Sequence, residues 1–357
     1  MRGLKVATIV GARPQFIKAA PVSKVLREAG HQEYLVHTGQ HYDVEMSRVF
    51  FRELAIPDPD VNLGVGSGSH GWQTGQMLIK VEEVLLSEKP DWVLVYGDTN
   101  STLAGSLAAC KLGVPVAHVE AGLRSFNREM AEEHNRVVTD HVADLLFCPT
   151  KTAVINLERE GITNGVHLVG DVMYDSLLDN AAVAEKRSKI LGKLNLQEKR
   201  YVLVTVHRAE NTDKPERLDA IFRALNKISE DGLDVVVPLH PRTQKKLGAS
   251  MQSYKSLKLI DPVSYMDILL LEKQARVILT DSGGIQKEAY WFGVPCVTLR
   301  DETEWVETVN SGWNVLVGAD SELILRATRD AKPGSSLQDD YGDGKAAEKI
   351  REILSSN

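Results

Sequence analysis

Short, unbroken apolar runs rich in β-branched residues recur along this chain, and longer amphipathic stretches separate them. That alternation constrains the fold more than any other feature. A strand buried on both faces reads as a continuous apolar run, whereas a half-buried strand alternates. Repeated strand–helix units with short loops point to a parallel, doubly wound α/β sheet. Residues 5–10, 34–37, 92–96 and 116–119 read as buried strands, with helices over 19–29, 72–86 and 102–112. The pattern lapses between about 171 and 200, where Ala184-Glu185-Lys186-Arg187-Ser188-Lys189 is polar and helical. It resumes at 201–206, 235–239, 257–260, 276–280 and 295–299, a second sheet of similar size.

The 357 residues exceed the size at which single hydrophobic cores stop growing. The expected organisation is two Rossmann-like doubly wound domains, 1–172 and 173–340, with a terminal helix in 341–357 packing back on the first. Ligands of such sheets sit at the carboxyl ends of the strands, and tandem domains suggest an interdomain cleft. A formal net charge of −7 argues against nucleic-acid or anionic-membrane partners, so an anionic ligand needs a local basic cluster. No apolar run reaches membrane-spanning length. The first strand begins too near Met1 to leave room for a signal peptide. Cys110, Cys148 and Cys296 lie in apolar surroundings without metal-ligand spacing, and read as reduced core residues of a cytoplasmic protein.

Asp281-Ser282-Gly283-Gly284-Ile285-Gln286-Lys287-Glu288 follows an apolar run and opens a helical segment. Strand, Ser-Gly-Gly, then a helix start is a phosphate site, because the first N–H groups of a helix have no internal acceptor. Glu288, one turn in, is placed to accept from ribose hydroxyls. A capped, glycine-rich turn explains the same residues equally well.

The other expected strands end in polar clusters too. Gly11-Ala12-Arg13-Pro14-Gln15 and Lys18 follow the first, and Arg13 and Lys18 read as phosphate-holding cations or as surface residues. Gly97-Asp98-Thr99 offers a functional carboxylate or an N-cap. Glu120, at the end of a buried run, is unusual unless paired or used. Glu132-Glu133 reads as a solvated helix face or as part of that set. His207-Arg208 is the better of two strand-end histidine clusters, ahead of His240-Pro241-Arg242. Gly64-Val65-Gly66-Ser67-Gly68 does not follow a strand in a βαβ unit and is rejected as a dinucleotide loop.

Together these segments resemble the non-hydrolysing UDP-N-acetylglucosamine 2-epimerase family over nearly the whole chain. The matches are Gly11-Ala12-Arg13-Pro14 with Lys18, Thr38-Gly39-Gln40-His41, Gly97-Asp98-Thr99, His118-Val119-Glu120-Ala121-Gly122-Leu123-Arg124, Glu132-Glu133 with Asn135-Arg136, His207-Arg208 with Glu210-Asn211, and Thr280 to Gln286 with Glu288-Ala289. The resemblance implies a GT-B-like fold, a homodimer, and reversible inversion at C2 of a UDP-2-acetamido sugar. The implied route is elimination of UDP to a 2-acetamidoglucal, then re-addition to the other face of C2, with no metal and no nicotinamide cofactor. It implies Asp98, Glu120 and Glu132 as the catalytic carboxylates. It counts His207 among the catalytic residues and gives it to the diphosphate, makes Arg13 and Lys18 basic cleft residues that bind the UDP-sugar, and gives Ser282, Gly283 and Gly284 to the phosphate turn and Glu288 to the ribose.

The chain departs from that pattern. Many members read Thr-Arg-Pro-Glu near the start and Thr-Glu-Arg-Pro-Glu late; here the residues are Ala12-Arg13-Pro14-Gln15 and Thr303-Glu304-Trp305-Val306-Glu307. Arg208 and Arg300 are the candidates to replace the missing late arginine. Arg124-Ser125-Phe126-Asn127 and His240-Pro241-Arg242-Thr243 are among the marks of a subgroup. That subgroup resembles epimerases of UDP-2,3-diacetamido-2,3-dideoxyglucuronate from surface-polysaccharide pathways. Arg128, Arg208 and Arg242 are then candidates for an extra C6 carboxylate. Some bacterial members are activated by UDP-N-acetylglucosamine beside Gln40-His41, but Tyr42-Asp43 follow here and that regulation is not expected.

Overall fold

The computed structural model describes residues 3–40, 56–335 and 339–357; His41, Tyr42 and Asp43 lie outside them. The chain forms two compact units, Met1–Leu178 with Asp339–Asn357, and Asp179–Gln338. The first contains strands β1 (Lys5–Val10), β2 (Gln32–His37), β3 (Val61–Asn62), β4 (Trp92–Tyr96), β5 (Val116–Val119), β6 (Leu145–Cys148) and β7 (Val166–Leu168). They pair in parallel in the order β3-β2-β1-β4-β5-β6-β7. The second contains β8 (Tyr201–Thr205), β9 (Asp234–Pro238), β10 (Lys258–Ile260), β11 (Val277–Thr280), β12 (Cys296–Thr298) and β13 (Asn314–Leu316). Their order is β10-β9-β8-β11-β12-β13, again all parallel.

Each sheet is doubly wound, and its strand order reverses between β1 and β4 or between β8 and β11. That reversal is where such sheets open a crevice at their carboxyl ends. The central strands carry the continuous apolar runs: β4 is Trp-Val-Leu-Val-Tyr, buried throughout. Ile9, Val36, Val81, Val93, Val95 and Ala108 form one core, and Val204, Phe222, Leu225, Val237 and Leu279 belong to the other. Helix Ala346–Ser356 packs on helix Arg13–Glu28 of the first unit. Asp175 accepts from the N–H groups of Ala346 (3.2 Å) and Ala347 (2.8 Å), which fixes its start.

Several elements differ from the sequence reading. The first helix begins at Arg13, six residues ahead of its expected start, with Pro14 in its first turn where a missing N–H costs nothing. Strands β3, β6, β7 and β13 were not anticipated; all are two to four residues long. Cys110 is exposed and is not a core residue, because it lies on the outer face of helix Asn100–Leu112.

Gln15 explains how the crevice end of the first sheet is tied together. Its Oε1 accepts from Gly11 N–H (2.8 Å) and Ala12 N–H (3.0 Å) after β1. Its Nε2 donates to the Tyr96 carbonyl at the end of β4 (2.9 Å) and to Thr102 Oγ1 (3.1 Å). The side chain is buried and fully satisfied. Gln15→Leu strands two buried N–H groups, and is expected to lower the unfolding free energy by about 3 kcal/mol. A urea midpoint unchanged from the wild type would disprove this bridging role.

Candidate active site

In the first unit the polar residues gather where β1, β4 and β5 end. Lys18, in the second turn of helix Arg13–Glu28, forms an ion pair with Glu120, and both are more than nine-tenths buried. Glu120 holds a left-handed backbone (φ +74°), which a residue with a Cβ rarely adopts. Its N–H and that of Ala121 both donate to the Phe147 carbonyl (3.1 Å each), which fixes the turn. Gly97 lies against this pair. A Cβ there would sit 3.0 Å from Lys18 Nζ and 3.1 Å from Glu120 Oε2, and φ is +63°. Only glycine fits, and the next residue is Asp98.

Asp98 pairs with Arg136 of helix Ala131–Val142, and its carbonyl accepts from Asn135 Nδ2 (2.9 Å). Arg136 Nη1 also donates to Glu133 Oε2 (2.9 Å). The structure thus brings Lys18 to Glu120, sets Asp98 beside that pair through Gly97, and ties Asp98 to the helix that carries Glu132. Glu132 itself is half-buried, and its carboxylate makes no hydrogen bond or ion pair to another described residue. Arg13 opens its helix at the end of β1 and is half-buried.

A buried brace supports the two carboxylate-bearing turns. His118 in β5 bonds through Nε2 to the Gly97 carbonyl (2.7 Å) and through Nδ1 to Asp140 Oδ1 (2.7 Å). Both ring nitrogens are thereby engaged inside the sheet. Asp140 Oδ2 accepts from Gly122 N–H (3.1 Å), two residues beyond Glu120, and from Arg124 Nη1 (2.7 Å). Arg124 in turn forks onto Glu160. Burial pushes the Asp140 carboxyl up, but His118 and Arg124 outweigh it and hold the group below its ordinary range. The sequence signal for this brace is a histidine inside the buried strand Val-Ala-His-Val, since a buried polar ring needs partners.

In the second unit the ends of β8 and β11 meet around Asp281, a fully buried carboxylate that the sequence reading did not single out as a site residue. Asp281 accepts from the N–H groups of His207 (3.1 Å) and Arg208 (3.0 Å), from Asn211 Nδ2 (3.1 Å), and pairs with His207 Nδ1 (3.0 Å). Nδ1 is committed to Asp281, so the half-exposed ring offers Nε2 as its reactive edge. His207 also packs on His240, with ring centroids 5.7 Å apart.

Helix Gly283–Trp291 starts beside them. Its N-cap, Ser282, makes no side-chain capping bond, which leaves the first N–H groups uncapped, as an anion site requires. Gly283 keeps this turn open: a Cβ there would lie 2.9 Å from Trp305 Nε1 and 4.0 Å from Arg208 Nη2. Gly284 follows in the first turn. Glu288 is buried and accepts from Tyr265 Oη (3.2 Å), so part of its bonding capacity is already used. Trp305 is buried, with Lys287 Nζ 3.8 Å from the centroid of its ring. Of the two arginines expected to replace the missing cation, Arg300 is fully buried and forks onto Glu304 (3.0 and 3.2 Å). Arg208 is half-buried beside Gly283 and its guanidinium pairs with no described residue. Arg242 is taken by Asp213 on the surface. Among the described residues no group of three or more His, Cys, Asp or Glu could hold a metal ion, and no helix is long and apolar enough to cross a membrane.

Asp281 gives a pH signature. Burial raises its carboxyl, but His207 and the hydrogen bonds from Arg208 N–H and Asn211 outweigh this and hold it below the ordinary range. A lowered folded value means its stabilisation is complete above the unfolded carboxylate value and is lost as pH falls through the folded one. Asp281→Asn is expected to cost roughly 2 kcal/mol at pH 7, and the gap to wild type should close as pH drops below about 4. Urea unfolding at several pH values checks this; a gap that stays constant would refute it.

Known proteins share this sequence pattern and this fold. The family model described as UDP-N-acetylglucosamine 2-epimerase matches residues 24–355. A UDP-N-acetylglucosamine 2-epimerase homolog of Methanococcus maripaludis is 56% identical, over 98% of this chain and 99% of its own length. The UDP-2,3-diacetamido-2,3-dideoxy-D-glucuronate 2-epimerase of Pseudomonas aeruginosa is 50% identical, over 98% of this chain and 99% of its own. The crystal structure of the Methanocaldococcus jannaschii UDP-GlcNAc 2-epimerase in complex with UDP-GlcNAc and UDP is similar, with a TM-score of 0.92. It is 46% identical and covers 99% of this chain and 100% of its own. A family match across almost the whole chain and relatives at half identity or better over full length leave one assignment: the protein belongs to the UDP-N-acetylglucosamine 2-epimerase family.

Proposed function

We propose that this protein inverts C2 of a UDP-2-acetamido sugar by eliminating UDP and adding it back to C1, with the C2 proton returned to the opposite face. The observation that carries the reading is the Gly97 turn, which sets Asp98 beside the buried Lys18–Glu120 pair. The C2 proton of such a sugar has no neighbouring carbonyl and is only weakly acidic. Cleaving the anomeric C–O bond first sends its electron pair to the diphosphate and leaves an oxocarbenium-like sugar. C2 then loses its proton to a carboxylate, and the C1–C2 double bond of the glucal forms. In re-addition a carboxylate returns a proton to the opposite face of C2 and the diphosphate oxygen re-forms its bond to C1, so no net oxidation occurs and no cofactor is consumed. Asp98, Glu120 and Glu132 divide the proton transfers and stabilise the positive charge.

The second unit supplies the groups for the leaving diphosphate. There His207, Arg208 and the uncapped N–H groups at Ser282, Gly283 and Gly284 stabilise its growing negative charge, and Arg13 of the first unit adds a cation. Glu288 accepts from the ribose. The same reading makes the protein a cytoplasmic homodimer that serves surface-polysaccharide precursor synthesis. UDP-N-acetylglucosamine is one substrate of this class. The diacetamido uronate is the second reading, favoured by Arg128, which is exposed and whose guanidinium pairs with no described residue; such a guanidinium suits a C6 carboxylate.

Proton NMR in D2O, with UDP-N-acetylglucosamine and no acceptor, tests the proposal. Deuterium should enter C2 as the manno epimer appears with UDP still attached. Free N-acetylmannosamine with UDP would indicate a hydrolysing enzyme, and exchange only with the uronate would move the substrate to the second reading. Turnover that needs an acceptor sugar would indicate a glycosyltransferase. Asp98→Asn and Glu120→Gln should each lower kcat by at least about a hundredfold while UDP affinity stays near wild type. Near-wild-type turnover in either variant would remove that carboxylate from the mechanism.

A further inference from the structure

Phe126 lies in the loop between β5 and helix Ala131–Val142, with a left-handed backbone (φ +59°) and 70% of its surface exposed. Both features disfavour the folded state: a bulky residue is strained at positive φ, and an aromatic ring in water contributes little packing. The loop is nevertheless held firmly. The buried Glu133 carboxylate accepts from Phe126 N–H (2.9 Å), Ser125 N–H (2.9 Å) and Ser125 Oγ (2.8 Å). Ser125 Oγ accepts from Asn127 N–H (3.2 Å), and Asn127 Oδ1 from Glu129 N–H (3.0 Å).

The anchor of this loop is also the anchor of a candidate catalytic group. Glu133 pairs with Arg136 Nη1, and Arg136 Nη2 pairs with Asp98. Two buried side chains therefore connect the Phe126 backbone to the Asp98 carboxylate. A strained, solvent-exposed ring that the fold does not need is fixed in register with the group assigned to C2.

We infer that Phe126 is a substrate-contact residue whose ring packs on the sugar half of the UDP-sugar and holds C2 in place at Asp98. The inference rests on the epimerase reading. An aromatic face suits the C–H-bearing face of a pyranose or an acetamido methyl, and has no affinity for a diphosphate. The ring therefore contributes to binding of the sugar nucleotide and not of UDP.

Phe126→Gly tests this cleanly, because it removes the ring and also relieves the positive φ. Its melting temperature should equal or exceed that of the wild type, and UDP affinity should stay within about twofold. kcat/KM for UDP-N-acetylglucosamine, or for the uronate if that is the sugar turned over, should fall by about five- to tenfold, mostly through KM. Phe126→Trp should restore most of the loss. The inference fails if kcat/KM of the glycine variant stays within about twofold of wild type. It also fails if UDP affinity drops in parallel, if the melting temperature falls, or if the variant dissociates an oligomer, which would make the ring a contact between copies. A wild-type protein silent towards both UDP-sugars defeats the epimerase reading itself, before any variant is made.

Discussion

A parallel sheet buried on both faces has almost no room for polar groups along its strands, and it forces the chemistry to the strand ends. All pairings recorded in both sheets here are parallel. In the first unit the consequence is Lys18, Asp98 and Glu120 at the carboxyl ends of β1, β4 and β5. In the second it is His207, Asp281 and Ser282 at those of β8 and β11. Strand order reverses between β1 and β4 and between β8 and β11. The helices on the two sides therefore diverge there, and a crevice opens where these residues stand.

Charges taken into such a place persist only when they are paired and hydrogen-bonded. The chain meets that requirement with linked sets. Glu160, Arg124, Asp140 and His118 run to the Gly97 carbonyl. Glu133 and Arg136 run to Asp98. Arg300 is locked by Glu304, and Lys287 rests on the face of Trp305. The last pair explains why the late family arginine is absent without leaving a gap. A guanidinium at position 305 would meet the buried Lys287 ammonium, whereas an indole face attracts it. The cation beside the Ser282–Gly284 turn is Arg208, from the end of β8, while Arg300 is held by Glu304.

Much of this was legible in the sequence. The continuous apolar runs gave the doubly wound class and both sheets, because burial on two faces is written directly into residue type. The strand-end motifs named Lys18, Asp98, Glu120, His207 and the Ser282–Gly284 turn. What escaped the reading has physical reasons. Strands of two to four residues, such as Val61–Asn62, carry too little pattern to register. Cys110 belongs to a hydrophobic stretch, but hydrophobicity does not say which face of a helix meets solvent. Asp281, Glu133 and Asp140 act on partners up to 74 positions away, and spacing cannot reveal such partners. Gln15 reads as a loss of a carboxylate, yet only an amide can accept from two N–H groups and still donate to the Tyr96 carbonyl.

The distribution of backbone strain sets the first unit's site apart from ordinary turns. Among the described residues, five without glycine's freedom adopt positive φ: Lys89, Glu120, Phe126, Asn195 and Lys199. Lys89 and Asn195 end helices in the left-handed conformation that terminates many helices. Lys199 lies in a surface turn just ahead of β8. Glu120 and Phe126 end no helix. Both lie on the segment that follows β5, one on each side of Gly122, and each is clamped by bonds from elsewhere in the unit: Phe147 for Glu120, Glu133 for Phe126. Strain survives where surrounding contacts over-determine it, and such places concentrate at ligand sites. The Asp140 carboxylate grips Gly122 between the two strained residues, so the brace that fixes the Gly97 turn also fixes them. Two buried sets, the His118–Asp140 brace at Gly97 and Gly122 and the Glu133–Arg136 pair at Phe126 and Asp98, thus hold this segment and the Asp98 turn in place.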